Sequence, residues 1–242
     1  MRYYNQCRQW VDSTAMSIPE ALAEINRRIQ SAAERAGRDP ASVRLVAVSK
    51  TRPTSDIAEA HKAGQTIFGE NYVQELITKL DVLNDTVRWH FIGHLQSNKV
   101  KFIAGQVSMI HSVDRLSLAG EISRQWSRVG RFCDILIQVN ISGESTKSGT
   151  TEEEAIQLVK DCSKLPNIRV QGLMTMPPFF DDPDAARPYF AGLRRLSQAI
   201  ASERIPGVEM RELSMGMSGD FEAAIMEGAT LVRVGTAIFG ER

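Results

Sequence analysis

Hydrophobic and polar positions along this chain change period many times. From Ile18 the apolar residues Leu22, Ile25 and Ile29 recur at steps of three and four, Pro19 suits a first helical turn and Gly37 supplies a stop. This predicts an amphipathic helix and leaves residues 1–17 ahead of it as a tail. Beyond it, short apolar runs at 43–48, 66–68, 88–92, 108–111, 133–140, 168–173, 211–213 and 231–234 read as strands. Helical periodicity separates them, clearest at 54–63, 70–83, 114–128, 151–163 and 184–203, each with an apolar stripe and a charged face. Thr150 or Thr151 followed by Glu153 and Glu154 resembles a capping box at one helix start. Gly or Pro punctuates most junctions. Eight strands, each with a helix, predict an α/β fold: a single closed (β/α)8 TIM barrel over 18–242. An open, doubly wound sheet shares the same alternation and is the alternative.

Composition narrows the partners. With 242 residues and 43% hydrophobic content, the chain can fill one large core. Its 29 Lys and Arg balance 29 Asp and Glu, so no overall field recruits nucleic acid or an anionic membrane. A phosphate-bearing ligand then needs a local site. Cys7, Cys133 and Cys162 are odd in number and far apart, with no C-x-x-C, which argues against disulfides or a zinc knuckle and for a reducing, cytoplasmic setting. Residues 1–10 lack the apolar core of a secretory signal, and no run reaches the length of a membrane span.

In a parallel barrel, polar residues at the carboxyl ends of strands face the active-site mouth. The first strand runs Leu45-Val46-Ala47-Val48-Ser49-Lys50, an apolar run that stops at a lysine; taken alone, a solvated strand end explains it. Leu213-Ser214-Met215-Gly216-Met217-Ser218-Gly219-Asp220 is a turn opening onto a helix, and Arg233-Val234-Gly235-Thr236 closes the last strand. Loops after strands seven and eight commonly bind phosphate, and Ser218, Gly235 and Thr236 have suitable chemistry, although ordinary turn and cap roles also suit them. Asn71, in Phe68-Gly69-Glu70-Asn71-Tyr72, could orient a ring substituent, and His90 could pack on a planar ligand. His90 and His94 have the spacing of a zinc helix, but Phe91 replaces the glutamate and Gly93 lies between them, so we assign no metal site. No G-x-S-x-G elbow is present and Cys133 opens a buried strand, so nucleophilic Ser or Cys catalysis lacks support. A desolvated lysine is a nucleophile for an aldehyde, and a phosphate cradle anchors the other end of that molecule; pyridoxal 5′-phosphate (PLP) meets both requirements.

These segments, with Trp89-His90-Phe91-Ile92-Gly93, Leu95-Gln96-Ser97-Asn98-Lys99 and Arg233-Val234-Gly235-Thr236-Ala237-Ile238-Phe239-Gly240, resemble the pyridoxal phosphate homeostasis protein family, single-domain relatives of the alanine racemase barrel (PLP fold-type III). The resemblance covers about 18–240; His94 departs from it, standing where the family pattern has proline. It implies that Lys50 holds PLP covalently as a Schiff base, that Arg233 faces the pyridine nitrogen, and that Ser218, Gly235 and Thr236 bind phosphate. Asn71, His90, Ser214 and Met215 would line the ring pocket. An arginine offers donors only, so it disfavours a protonated ring nitrogen and weakens the ring as an electron sink. The chain ends at Arg242, so the second racemase domain with its opposing tyrosine is not expected. The resemblance therefore implies a monomeric carrier that buffers PLP, supplies PLP-dependent apoenzymes and lacks catalytic residues. A slow PLP-dependent racemase or decarboxylase, and a partner-binding scaffold with vestigial PLP, stand as alternatives.

Overall fold

A computed structural model describes residues 16–83, 87–144 and 148–241; residues 1–15, assigned above to the tail, lie outside them. The strands are β1 (Arg44–Val48), β2 (Ile67–Glu70), β3 (Arg88–Phe91), β4 (Met109–Val113), β5 (Cys133–Gln138), β6 (Ile168–Met174), β7 (Val208–Ser214) and β8 (Leu231–Val234). They pair in chain order into a closed parallel barrel, in which Val46 of β1 lies beside Arg233 of β8. That closure removes the open-sheet alternative.

The outer layer comprises α1 (Ile18–Arg35), α2 (Thr54–Lys62), α3 (Val73–Leu83), α4 (Leu116–Arg128), α5 (Glu152–Cys162), α6 (Arg187–Ser202), α7 (Phe221–Met226) and α8 (Thr236–Phe239). Ser17 caps α1 in a capping box with Glu20, and α1 buries Leu22, Ile25 and Ile29 while packing on α2, α7 and α8. Each such side chain contributes about 1.5–3 kcal/mol. Thr151 is the residue that caps α5, accepting from the Glu154 amide. One expectation changes: the β3–β4 link carries a 3-10 helix, Ser97–Phe102, where a helix per strand predicted an α-helix.

Strand alternation divides the apolar side chains into two groups. Leu45, Ala47, Phe68, Trp89, Phe91, Ile135, Leu213 and Val232 face the helices and join the main core. Val46, Ile67, Met109, Leu136, Met174 and Leu231 form a separate buried cluster inside the barrel. On β4 and β8 the inward positions that follow Met109 and Leu231 are His111 and Arg233, and His90 of β3 and Ser214 of β7 join them in a polar layer next to the apolar plug.

Candidate functional site

The polar layer is buried and hydrogen-bonded to itself. Arg233 on β8 is 4% exposed; its Nη1 donates to Ser214 Oγ on β7 at 2.6 Å and its Nη2 to the Thr175 carbonyl at 3.0 Å. Ser214 Oγ lies 2.9 Å from His111 Nδ1 on β4, and His111 Nε2 lies 2.9 Å from His90 Nδ1 on β3. Four strands thus share one chain of polar contacts. Burial pushes the Arg233 guanidinium down to about 10, which leaves it a cation at neutral pH. Burial likewise pushes His90 down to about 3 and His111 well below the ordinary histidine range, so both rings are neutral. The sequence reading singled out Arg233, Ser214 and His90 but missed His111. Its segment, Met-Ile-His-Ser-Val, reads as an apolar strand, and no local signal marks a partner 103 residues away in Ser214.

Lys50 lies two residues beyond the end of β1, where the chain turns, and is half-buried. The Ser49 amide still bonds the Gly69 carbonyl and the Ser49 hydroxyl reaches Glu70, so the extended backbone runs on to Ser49 and Lys50 opens the turn at the carboxyl end of β1. The backbone around Lys50 is held by a buried ionic cluster that the sequence reading also missed. Lys79 of α3 is 3% exposed and donates to the Ser49 carbonyl at 2.7 Å, to Glu70 Oε1 at 2.7 Å and to Glu75 Oε1 at 2.6 Å. Ser49 Oγ donates to Glu70 Oε1 at 2.6 Å, and the Thr51 amide donates to Glu75. Thr51 sits at φ 64°, a left-handed conformation uncommon for a residue with a side chain, and the Glu75 contact fixes it there. Burial raises the Glu70 carboxyl above its usual range, against the opposing contacts from Lys79 and Ser49.

The remaining predicted residues fall in three places. Asn71 follows Glu70 at the end of β2, and its Oδ1 is buried without a hydrogen-bond partner among the described residues. Gly93 brings the β3 end onto it: a Cβ there would stand 2.2 Å from the Asn71 carbonyl oxygen. Ser218, Gly235 and Thr236 meet at the β7 and β8 ends, where the Gly235 amide donates to Ser218 Oγ at 3.2 Å and Thr236 is exposed. Gly216, at φ 89°, lets that loop close on α7, since a Cβ would lie 2.6 Å from the Ala224 Cβ. Met215 is not brought into the polar layer; it is fully buried in the main core with Leu213 and Phe221. His94 is exposed while His90 points into the barrel, so the pair does not converge. Among the described residues no cluster of His, Cys, Asp or Glu could hold a metal ion. No helix among them is long and apolar enough to cross a membrane.

The family model described as alanine racemase, N-terminal domain, matches residues 21–242, which places this barrel in that class. Within it, the chain belongs to the pyridoxal phosphate homeostasis protein family. It is 46% identical to the pyridoxal phosphate homeostasis protein of Aquifex aeolicus over 94% of this chain and 99% of that protein. The solved structure of PipY from Synechococcus elongatus, with PLP bound, superposes with a TM-score of 0.81 at 36% identity, covering 93% of this chain and all of that one. Alanine racemase of Clostridium difficile, at 17% identity and a TM-score of 0.66, shares the fold over 56% of its length.

Proposed function

We propose that this protein holds PLP on Lys50 and carries or buffers it in the cytoplasm, for PLP-dependent apoenzymes, without appreciable amino-acid turnover. The family and the PLP-bound relative support the cofactor; the buried Arg233 carries the reading of its use. A bound PLP supplies a reactive aldehyde and an electron-withdrawing ring. The residues present fit such a group: a lysine at the mouth, an unpartnered buried amide oxygen on Asn71, and hydroxyl and amide groups of Ser218, Gly235 and Thr236 at one rim. Ser214 and the Thr175 carbonyl occupy two of the five N–H groups of Arg233, leaving others to meet a ring nitrogen as an acceptor. Among the described residues no carboxylate is hydrogen-bonded to this guanidinium, although the Asp220 charge acts on it from a distance; the cation would oppose a proton on that nitrogen. Met215 shapes the site only from behind, through the core.

The test is spectroscopic. Purified protein loaded with PLP should show a visible absorption band, and borohydride should fix the cofactor mass to the peptide containing Lys50. A band that survives Lys50→Ala unchanged would refute the assignment.

A further inference from the structure

The polar layer has a direction. Arginine only donates, so Ser214 Oγ accepts from Arg233 and has its own proton to place. Its remaining hydrogen-bond partner among the described residues is His111 Nδ1, at 2.9 Å. A neutral imidazole carries one N–H, so a His111 that accepts at Nδ1 carries its proton on Nε2 and donates it to His90 Nδ1, 2.9 Å away. His90 then accepts at Nδ1 and must carry its proton on Nε2. The opposite direction would make Ser214 Oγ accept twice and leave its buried proton without an acceptor, which costs about 1–3 kcal/mol.

We propose that Arg233 sets the tautomer of His90 from across the barrel, through Ser214 and His111, so that His90 presents an Nε2–H donor to the ligand site. His111 is a positioning residue: it touches no ligand and acts by passing polarity from one wall to the other. The geometry supports this at every step, because the apolar cluster of Val46, Ile67, Met109, Leu136, Met174 and Leu231 closes the barrel beneath the layer and offers no competing polar partner. A ligand in this site meets donors from Arg233 on one side and His90 on the other. The site thereby favours molecules that present acceptors to both, such as an unprotonated pyridine ring with an anionic oxygen substituent. This last consequence rests on the proposed PLP reading; the tautomer does not.

Long-range proton–nitrogen NMR of the imidazoles tests the two separately. In the cofactor-free protein at neutral pH, His90 and His111 should each show a single form, protonated at Nε2 and unprotonated at Nδ1. Ser214→Ala, which adds no bulk, should turn both into mixtures of tautomers, and His111→Phe should do so for His90. In holo-protein, His111→Phe should speed PLP release about fivefold, the equivalent of one weakened neutral hydrogen bond. A wild-type His90 protonated at Nδ1, or a single Nε2–H form that persists in Ser214→Ala, overturns the relay while leaving PLP binding intact. Failure to bind PLP, with the tautomers as expected, overturns the ligand reading and leaves the relay standing. Unchanged release in His111→Phe overturns the claim that His111 positions the ligand site.

Discussion

His90 and His111 make the stability of this barrel depend on pH. Burial is the largest cause in each case, followed for His90 by the Arg44 and Arg88 charges and for His111 by His90, Arg233 and Arg44. In the unfolded chain both rings take up a proton as pH falls through about 6.5, whereas in the fold His90 does so only near about 3 and burial holds His111 well below the ordinary histidine range. Between those limits the unfolded state binds more protons, so stability falls with falling pH, by about 1.4 kcal/mol per pH unit for each ring. Urea denaturation at pH 7 and pH 5 should reveal that loss, and His111→Phe should remove about half of the histidine contribution; an identical pH slope in the variant would refute it. In the polar layer, Arg233→Glu should alter the absorption of bound PLP while its phosphate contacts persist. Ser218→Ala combined with Thr236→Ala should instead weaken retention, by up to about 1.5–3 kcal/mol per lost contact to a charged group before water compensates. Equal affinity losses in the two sets, measured by equilibrium dialysis, would refute this division. The sequence marks Lys50 as the polar stop of an apolar run and Ser218 as part of a glycine- and serine-containing turn, whereas the role of Arg233 follows from the family resemblance. His111 and Lys79 were not legible in the sequence: the one lies within an apolar run and the other reads as the charged face of a helix, and only the closed barrel reveals what each touches.

At the level of elements, β2 and α3 act together as a clamp on the segment that carries Lys50. Glu70 is the last residue of β2, Lys79 and Glu75 lie one helical turn apart on α3, and all three reach the backbone or side chains of Ser49 and Thr51. The sequence pattern places the end of β2 at residue 68 and the start of α3 at residue 70, because Gly69 interrupts the apolar run and Glu70 reads as a charged residue of a first helical turn; the strand continues to Glu70, which is fully buried and satisfied on one oxygen by Lys79 and Ser49. The pattern also shortens β7, whose first residues alternate charged and apolar on a partly exposed surface and so carry little apolar signal. Lys79→Met removes the cation from this cluster and leaves Glu70 buried, which should destabilise the protein by about 3–5 kcal/mol. Adding Glu70→Gln should restore part of that loss. Hydrogen exchange at the Thr51 amide should accelerate in Lys79→Met more than exchange in β5 does. Uniform acceleration across both elements would mean that the cluster supports the fold generally and does not hold the Lys50 segment in particular.

The whole barrel has one plugged end and one chemically furnished end, and this polarity bears on what it does with PLP. The interior cluster from Val46 to Leu231 closes the lower side, so in the proposed reading a cofactor enters and leaves at the mouth, past Lys50, Asn71 and the Ser218 rim. Amino-acid chemistry at such a mouth needs a ring that withdraws electrons strongly and a group that takes a proton from the α-carbon. In the proposed reading Arg233 opposes the first requirement, because a buried cation facing the ring nitrogen would disfavour a proton there. The two interior imidazoles fail the second: burial holds both far below neutral pH, and His90 accepts at Nδ1 while its other nitrogen bears the proton in the proposed relay. Holo-protein mixed with single amino acids in deuterated water should therefore incorporate little or no deuterium at the α-carbon, an assay that registers proton removal even without net product. The same holo-protein should restore activity to a PLP-dependent apoenzyme faster than spontaneous release of PLP alone would allow. Fast, Lys50-dependent deuterium incorporation with any one amino acid would overturn the carrier reading and make the protein an enzyme. Absence of both incorporation and transfer would leave a PLP-loaded scaffold whose partners recognise its surface.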